Sequence, residues 1–158
     1  MILSGELFLT IIKHWTIVVV AKVKEQKMKV LLVAINAKYI HSNLAVYSLK
    51  AYAKKYGKTN HQIKIKEYTI NQYPEDILAD IYNEKADVVG FSCYIWNFAI
   101  ANQVINNLKK VDENITVAVG GPEVSYNPVQ VLENKNIDYV MCGEGEEVFK
   151  NFLDNYAS

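Results

Sequence analysis

Apolar and polar stretches alternate along the chain from Met28 onward, and their spacing predicts an ordered series of strands and helices. Lys29–Ile35 (KVLLVAI) is a continuous apolar run, the mark of a strand buried on both faces. A polar loop, Asn36–Asn43, leads into Leu44–Tyr56, where Leu44, Tyr47, Ala51 and Tyr52 fall on one helical face and Gly57 follows as a C-cap. His61–Tyr68 alternates residue by residue, as a half-exposed strand near a sheet edge does. Tyr73-Pro74-Glu75-Asp76 opens a second helix, with proline at its first position, acids in its first turn, and Ile77, Leu78, Ile81 and Tyr82 inward.

The short run Asp87–Phe91 (DVVGF) is the central strand, and it ends in an unusual loop, Ser92–Asn97, that mixes small polar groups with Tyr94 and Trp96. Asn97–Lys110 is a helix with Ile100, Ala101, Val104, Ile105 and Leu108 inward. A strand over Ile115–Val119 runs into Gly120-Gly121-Pro122, and a short helix follows from Asn127-Pro128 to Glu133. Asp138–Met141 is the last strand and Gly145–Tyr156 the closing helix. Strands alternating with helices mean an α/β fold, a three-layer α/β/α sandwich on a five-stranded parallel sheet. Right-handed crossovers and the edge-like second strand favour the flavodoxin- or Rossmann-like order 2-1-3-4-5. That order brings the loops after strands one, three, four and five to one edge, where such sheets bind ligands.

Composition narrows the function. The 158 residues suit one domain, and a 51% hydrophobic fraction gives a full core. Lysine plus arginine and aspartate plus glutamate are both 17, which argues against a nucleic-acid or anionic-membrane partner. The two cysteines, Cys93 and Cys142, have neither disulfide-framework nor zinc-ligand spacing and read as free thiols in a reducing, cytoplasmic compartment. Residues 1–27 differ from the rest: Leu7–Val23 is apolar but interrupted by Lys13-His14, short of the ~20 residues of a spanning helix. No basic residues precede it as in a secretory signal, so residues 1–27 read as an extension outside the fold and 28–158 as the domain.

Several chemistries fit poorly. A phosphate cradle wants glycines after the first strand, and NAKYIHSN has none; Ser42 there reads as a helix N-cap. A phospho-acceptor site would need acids where Asn36 and Ser92 stand. For nucleophilic catalysis, Cys93 has no partner on its edge except His41. The glycine pairs say more. Gly120-Gly121 and Gly143-Glu144-Gly145-Glu146 both end strands, and bare backbone there lets a broad ligand approach while aromatics lie against its face.

MKVLLV, AKYIHSNLA, GFSCYIWN, GGPEVSYNP and GEGE, in this order from Met28 to about Tyr156, resemble the N-terminal cobalamin-binding domain of cobalamin-dependent radical S-adenosylmethionine proteins. The resemblance implies cobalamin as cofactor, held by the loops after strands one, three, four and five, with its nucleotide tail beside the Gly-Gly turn. The matching positions are Ser42, Ser92, Cys93, Tyr94, Gly120, Gly121, Pro122, Gly143, Glu144 and Gly145, and the Asn36–Ser42 loop would face the lower corrin surface. The Asp-x-His-x-x-Gly motif that ligates cobalt in mutases is missing from NAKYIHS, which implies base-off cobalamin without a protein histidine ligand. Two lone cysteines cannot supply the iron–sulfur motif of the radical chemistry. The resemblance therefore implies a cobalamin-binding module lacking its catalytic barrel, with a barrel domain as partner. The alternatives are a small-ligand binder or enzyme on the same fold using Cys93, and a degenerate fragment that binds nothing.

Overall fold

The structure, a computed structural model, describes residues 8–12, 15–19, 27–38 and 42–156, the first two segments as backbone only. Strands β1 (Phe8–Ile12) and β2 (Trp15–Val19) pair antiparallel in a two-stranded sheet of their own. A five-stranded sheet follows, made of β3 (Lys29–Asn36), β4 (Gln62–Thr69), β5 (Val88–Ser92), β6 (Thr116–Gly120) and β7 (Tyr139–Met141). All its pairings are parallel and its order is β4-β3-β5-β6-β7, which is the expected 2-1-3-4-5. The helices are α1 (Leu44–Tyr56), α2 (Pro74–Asn83), α3 (Phe98–Val111), the short α4 (Pro122–Ser125) and α5 (Pro128–Val131), and α6 (Gly145–Tyr156). Among the described residues, no helix is long and apolar enough to cross a membrane.

The period-2 alternation of the strands divides the core in two. Leu31, Val33, Ile35, Val89, Phe91, Val117 and Val119 point to one face, against α2 and α3. Leu32, Ala34 and Val88 point to the other, against Val46 and Ala53 of α1 and Phe149 and Leu153 of α6. The edge strand β4 carries Lys64 and Lys66, whose ammonium groups lie 2.7 and 2.8 Å from the Glu84 carboxylate just beyond α2. These charges protect an edge that would otherwise template pairing. Asp87 and Asp138 close the strand starts, accepting from Lys29 N–H and Val117 N–H at 2.7 Å each.

Three local expectations are corrected. Helix α1 packs on the sheet through Val46 and Ala53, not through the face of Leu44, Tyr47, Ala51 and Tyr52, of which Leu44, Tyr47 and Ala51 are exposed and Tyr52 is half-buried. The N-cap of α1 is Asn43, one residue after Ser42, and its side chain accepts from Ala45 N–H at 3.1 Å. The stretch after β6, read as a loop, contains α4, because Pro122 pre-sets the first helical φ directly after Gly121.

Candidate functional site

The carboxyl ends of β3, β5, β6 and β7 frame a cavity of about 550 Å³, between the sheet and the pair α1 and α6. That volume lies in the roughly 300–1,000 Å³ range of small-molecule sites. The cavity exists because two neighbouring strands present small residues to the same face. Gly90 pairs with Ala118 and Ser92 with Gly120, and all four line it. A Cβ on Gly90 would stand 3.1 Å from Leu32 Cδ2, so even a methyl group crowds that floor. Leu32, Val46, Leu49, Val88, Met141 and Phe149 complete an apolar wall.

The mouth is built from the loops singled out in the sequence. Gly121 has φ 113°, where side chains are strained, and a Cβ there would stand 2.4 Å from the Cys93 carbonyl oxygen. The two loops are locked by Cys93 N–H donating to Gly120 O at 2.7 Å. Asn97, fully buried, fixes the Ser92–Asn97 loop from inside: its amide donates to Ile35 O (2.9 Å) and Ser92 O (3.0 Å), and its oxygen accepts from Tyr94 N–H (2.8 Å). On the rim Tyr94 stacks on Trp96 at 4.6 Å and 9°, while Ile95 is 79% exposed. On the far side Ser48 of α1 donates to Glu146 of α6 at 2.6 Å.

Of the sequence-selected residues, Ser92, Tyr94, Gly120, Gly121, Pro122, Gly143 and Gly145 line the cavity. Ser42 and Glu144 are exposed and stand outside its wall. Cys93 points the other way, into the core beside Phe91 and Val119, and it shapes the mouth only through its backbone. Burial, aided by the Glu123 charge, pushes its thiol up to about 12. It stays protonated at neutral pH, which removes the basis for a Cys93 nucleophile. The pairing with His41 lies outside the described residues, as do positions 39–41 of the loop after β3. The sequence reading missed Gly90, Ala118 and Glu146. Its available signal was the matched parity of Gly90 with Ser92 and of Ala118 with Gly120.

A carboxylate organises the remaining corner. Glu67 of β4 accepts from Asn36 Nδ2 (3.1 Å), Asn43 N–H (2.8 Å) and Tyr47 OH (3.0 Å), pinning both ends of the loop between β3 and α1. Asn43 Nδ2 in turn donates to Ser92 Oγ at 3.1 Å. Partial burial pushes the Glu67 carboxyl up, but those hydrogen bonds outweigh it and hold the group below its ordinary value.

Comparison with known proteins agrees with the fold. The chain matches the family model described as the B12 binding domain over residues 30–153. The cobalamin-dependent radical SAM methyltransferase TokK of Streptomyces tokunonensis is 37% identical over 68 residues, 42% of this chain and 10% of that protein. An uncharacterised methyltransferase of Pyrococcus horikoshii is 31% identical over 106 residues, 66% of this chain and 23% of that protein. The chain thus spans a quarter or less of the length of these relatives. Among solved structures, the radical S-adenosylmethionine methyltransferase TsrM of Kitasatospora setae, with cobalamin and a 4Fe-4S cluster bound, superposes with a TM-score of 0.60 at 19% identity, covering 84% of this chain and 24% of that one. A cobalamin-binding protein of Desulfitobacterium hafniense gives 0.56 at 14% identity, covering 82% and 58%. At these identities the structural likeness is one of fold.

Proposed function

The chain belongs to the B12-binding domain family, and on that premise we propose that it holds cobalamin across the strand ends, as the cofactor-binding part of a radical S-adenosylmethionine methyltransferase-like protein. The observation that carries the reading is the slot over Gly90, Ala118 and Gly120, open at the Gly120-Gly121 turn and lined by apolar side chains. It fits the flat base of a nucleotide tail, while Ser92, Tyr94, Gly121, Pro122, Gly143 and Gly145 at the mouth meet the corrin rim. Cys93 and Glu144 contribute through backbone and turn, and Ser42 through the loop before α1. Cobalamin supplies the methyl-transfer or radical chemistry; this chain supplies shape and exclusion of water.

A base lying in the slot cannot also ligate cobalt, so the bound cofactor is base-off. Among the described histidines only His61 is available, and it is committed elsewhere: Nδ1 accepts from Met28 N–H at 3.2 Å and Nε2 lies 3.2 Å from Leu153 O. The missing Asp-x-His-x-x-Gly motif after the first strand of the sheet favours cobalamin without a protein histidine ligand. Exposed Ile95 and Trp96 beside the mouth favour a covering partner, a radical S-adenosylmethionine barrel domain. The balanced charge and two free thiols favour a cytoplasmic protein without nucleic-acid or membrane partners. Residues 28–158 are taken as the module, in keeping with a sheet that begins at Lys29, and residues 1–27 as an extension.

The test is titration of the chain with hydroxocobalamin, followed by absorbance. Saturable binding with a base-off spectrum is expected. Ala118→Leu, which fills the slot, abolishes it while leaving the fold intact by circular dichroism. Absence of binding at high micromolar cofactor sinks the reading in favour of a degenerate fragment.

A further inference from the structure

We infer that the slot selects cobamides by their lower base, accepting an apolar benzimidazole and discriminating against purines. The inference rests on the reading that the slot holds the nucleotide tail. The inner wall consists of Leu32, Val88, Met141 and Phe149 over a floor of Gly90 and Ala118, none of which offers a strong hydrogen-bonding side chain. The strand backbone behind them is engaged in the parallel pairings of β3 with β5 and β5 with β6.

The polar side chains on the cavity wall, Ser92, Tyr94, Ser125 and Glu146, stand at its mouth, above the apolar inner wall. Ser92 Oγ, at the last position of β5, accepts from Asn43 Nδ2 at 3.1 Å. Ser125 Oγ donates to Gly121 O at 2.8 Å. Glu146, in the first turn of α6, accepts from Ser48 Oγ at 2.6 Å. Tyr94 is stacked on Trp96 on the rim. A base pushed past Ser92 and Gly120 loses its water and meets only hydrocarbon and sulfur.

A dimethylbenzimidazole tolerates that environment: it has a single free ring nitrogen, and its methyl groups are as apolar as the wall of Leu32, Val88 and Phe149. Adenine adds further ring nitrogens and an exocyclic amino group, each stripped of water without a replacement partner. A site without matching polar groups rejects such a ligand by roughly tenfold to a hundredfold.

The experiment is a parallel titration of the whole chain with hydroxocobalamin, with the cobamide that differs only in carrying adenine as lower base, and with cobinamide, which has no nucleotide. The expected order is cobalamin tightest, with the adenine cobamide about tenfold or more weaker and cobinamide also weaker. Val88→Thr, which adds a hydroxyl to the wall at nearly constant volume, narrows the gap between the two complete cobamides. Equal affinity for those two overturns the base selectivity and leaves the cobalamin-module reading standing. Cobinamide binding as tightly as cobalamin overturns it too, by showing that no tail is read. Failure of all three to bind overturns both readings together.

Discussion

Gly121 and Gly143 both adopt positive φ, 113° and 97°, yet they differ in what surrounds them. At Gly121 a Cβ would strike the Cys93 carbonyl oxygen at 2.4 Å, and Cys93 cannot retreat because its own N–H is bonded to Gly120 O. At Gly143 the nearest atom is Val148 Cγ2 at 4.0 Å, so only the backbone conformation is costly. Gly143→Ala is therefore expected to lose about 1–2 kcal/mol, the usual penalty of a left-handed residue. Gly121→Ala is expected to lose roughly 3 kcal/mol or more, because two loops must separate. Urea midpoints at unchanged slope measure both, and equal losses would show that the Cys93 contact carries no weight. Both glycines are legible in sequence as strand-end punctuation. The side to which Cys93 points is legible too, since it shares strand parity with Phe91 rather than with Ser92. What no residue type reveals is that the Asn97 amide spans from Ile35 O to Ser92 O, a contact that joins positions distant in the chain.

Three elements meet at Glu67: the end of β3 through Asn36, β4 on which it sits, and the start of α1 through Asn43 and Tyr47. Its folded carboxyl titrates below the ordinary value. The stability it contributes is therefore complete above the unfolded value of about 4.3 and disappears as pH falls through the folded one. Glu67→Gln is expected to be less stable than the parent at pH 7, with the gap shrinking towards pH 3. Urea midpoints at the two pH values read the difference; a gap that does not change with pH would mean that the carboxylate charge is not what holds the loop. The elements themselves are largely legible. Helices Leu44–Tyr56 and Gly145–Tyr156 keep the bounds that the sequence predicts, although α1 turns Val46 and Ala53 inward and leaves Leu44, Tyr47 and Ala51 exposed, and β4 declares itself an edge by alternating isoleucines with lysines. The slot between those helices and the sheet is not legible. Leu49, Val88 and Phe149 have the same periodicity whether they touch another side chain or line a cleft, and only the pairing register brings Gly90 beside Ala118.

The molecule as a whole carries a cleft lined by side chains that would otherwise be core, so its stability must depend on what fills it. A ligand that binds only the folded chain stabilises it by about 2.7 kcal/mol at a concentration one hundred times its dissociation constant. For a chain of this size that corresponds to a rise in Tm of roughly 5–10 °C. Hydroxocobalamin is expected to produce such a rise in the parent chain. In Ala118→Leu the added side chain occupies the slot itself, so the free variant melts near the parent and the cofactor-dependent rise is lost. A rise that survives Ala118→Leu would put the cofactor somewhere other than over β5 and β6. The same measurement tests whether residues 1–27 matter, provided the cut respects the packing. Met28 is buried and its N–H donates to His61 Nδ1, which ties the start of β3 to α6 through Leu153 O. A chain beginning at Met28 would place a charged amino group in that buried position, whereas one beginning at exposed Lys27 keeps the amide. The chain from Lys27 is expected to reproduce the cofactor-dependent rise of the full chain, and the one from Met28 to start from a lower Tm with the same rise. Loss of the rise in the Lys27 chain would assign residues 1–26 a part in binding.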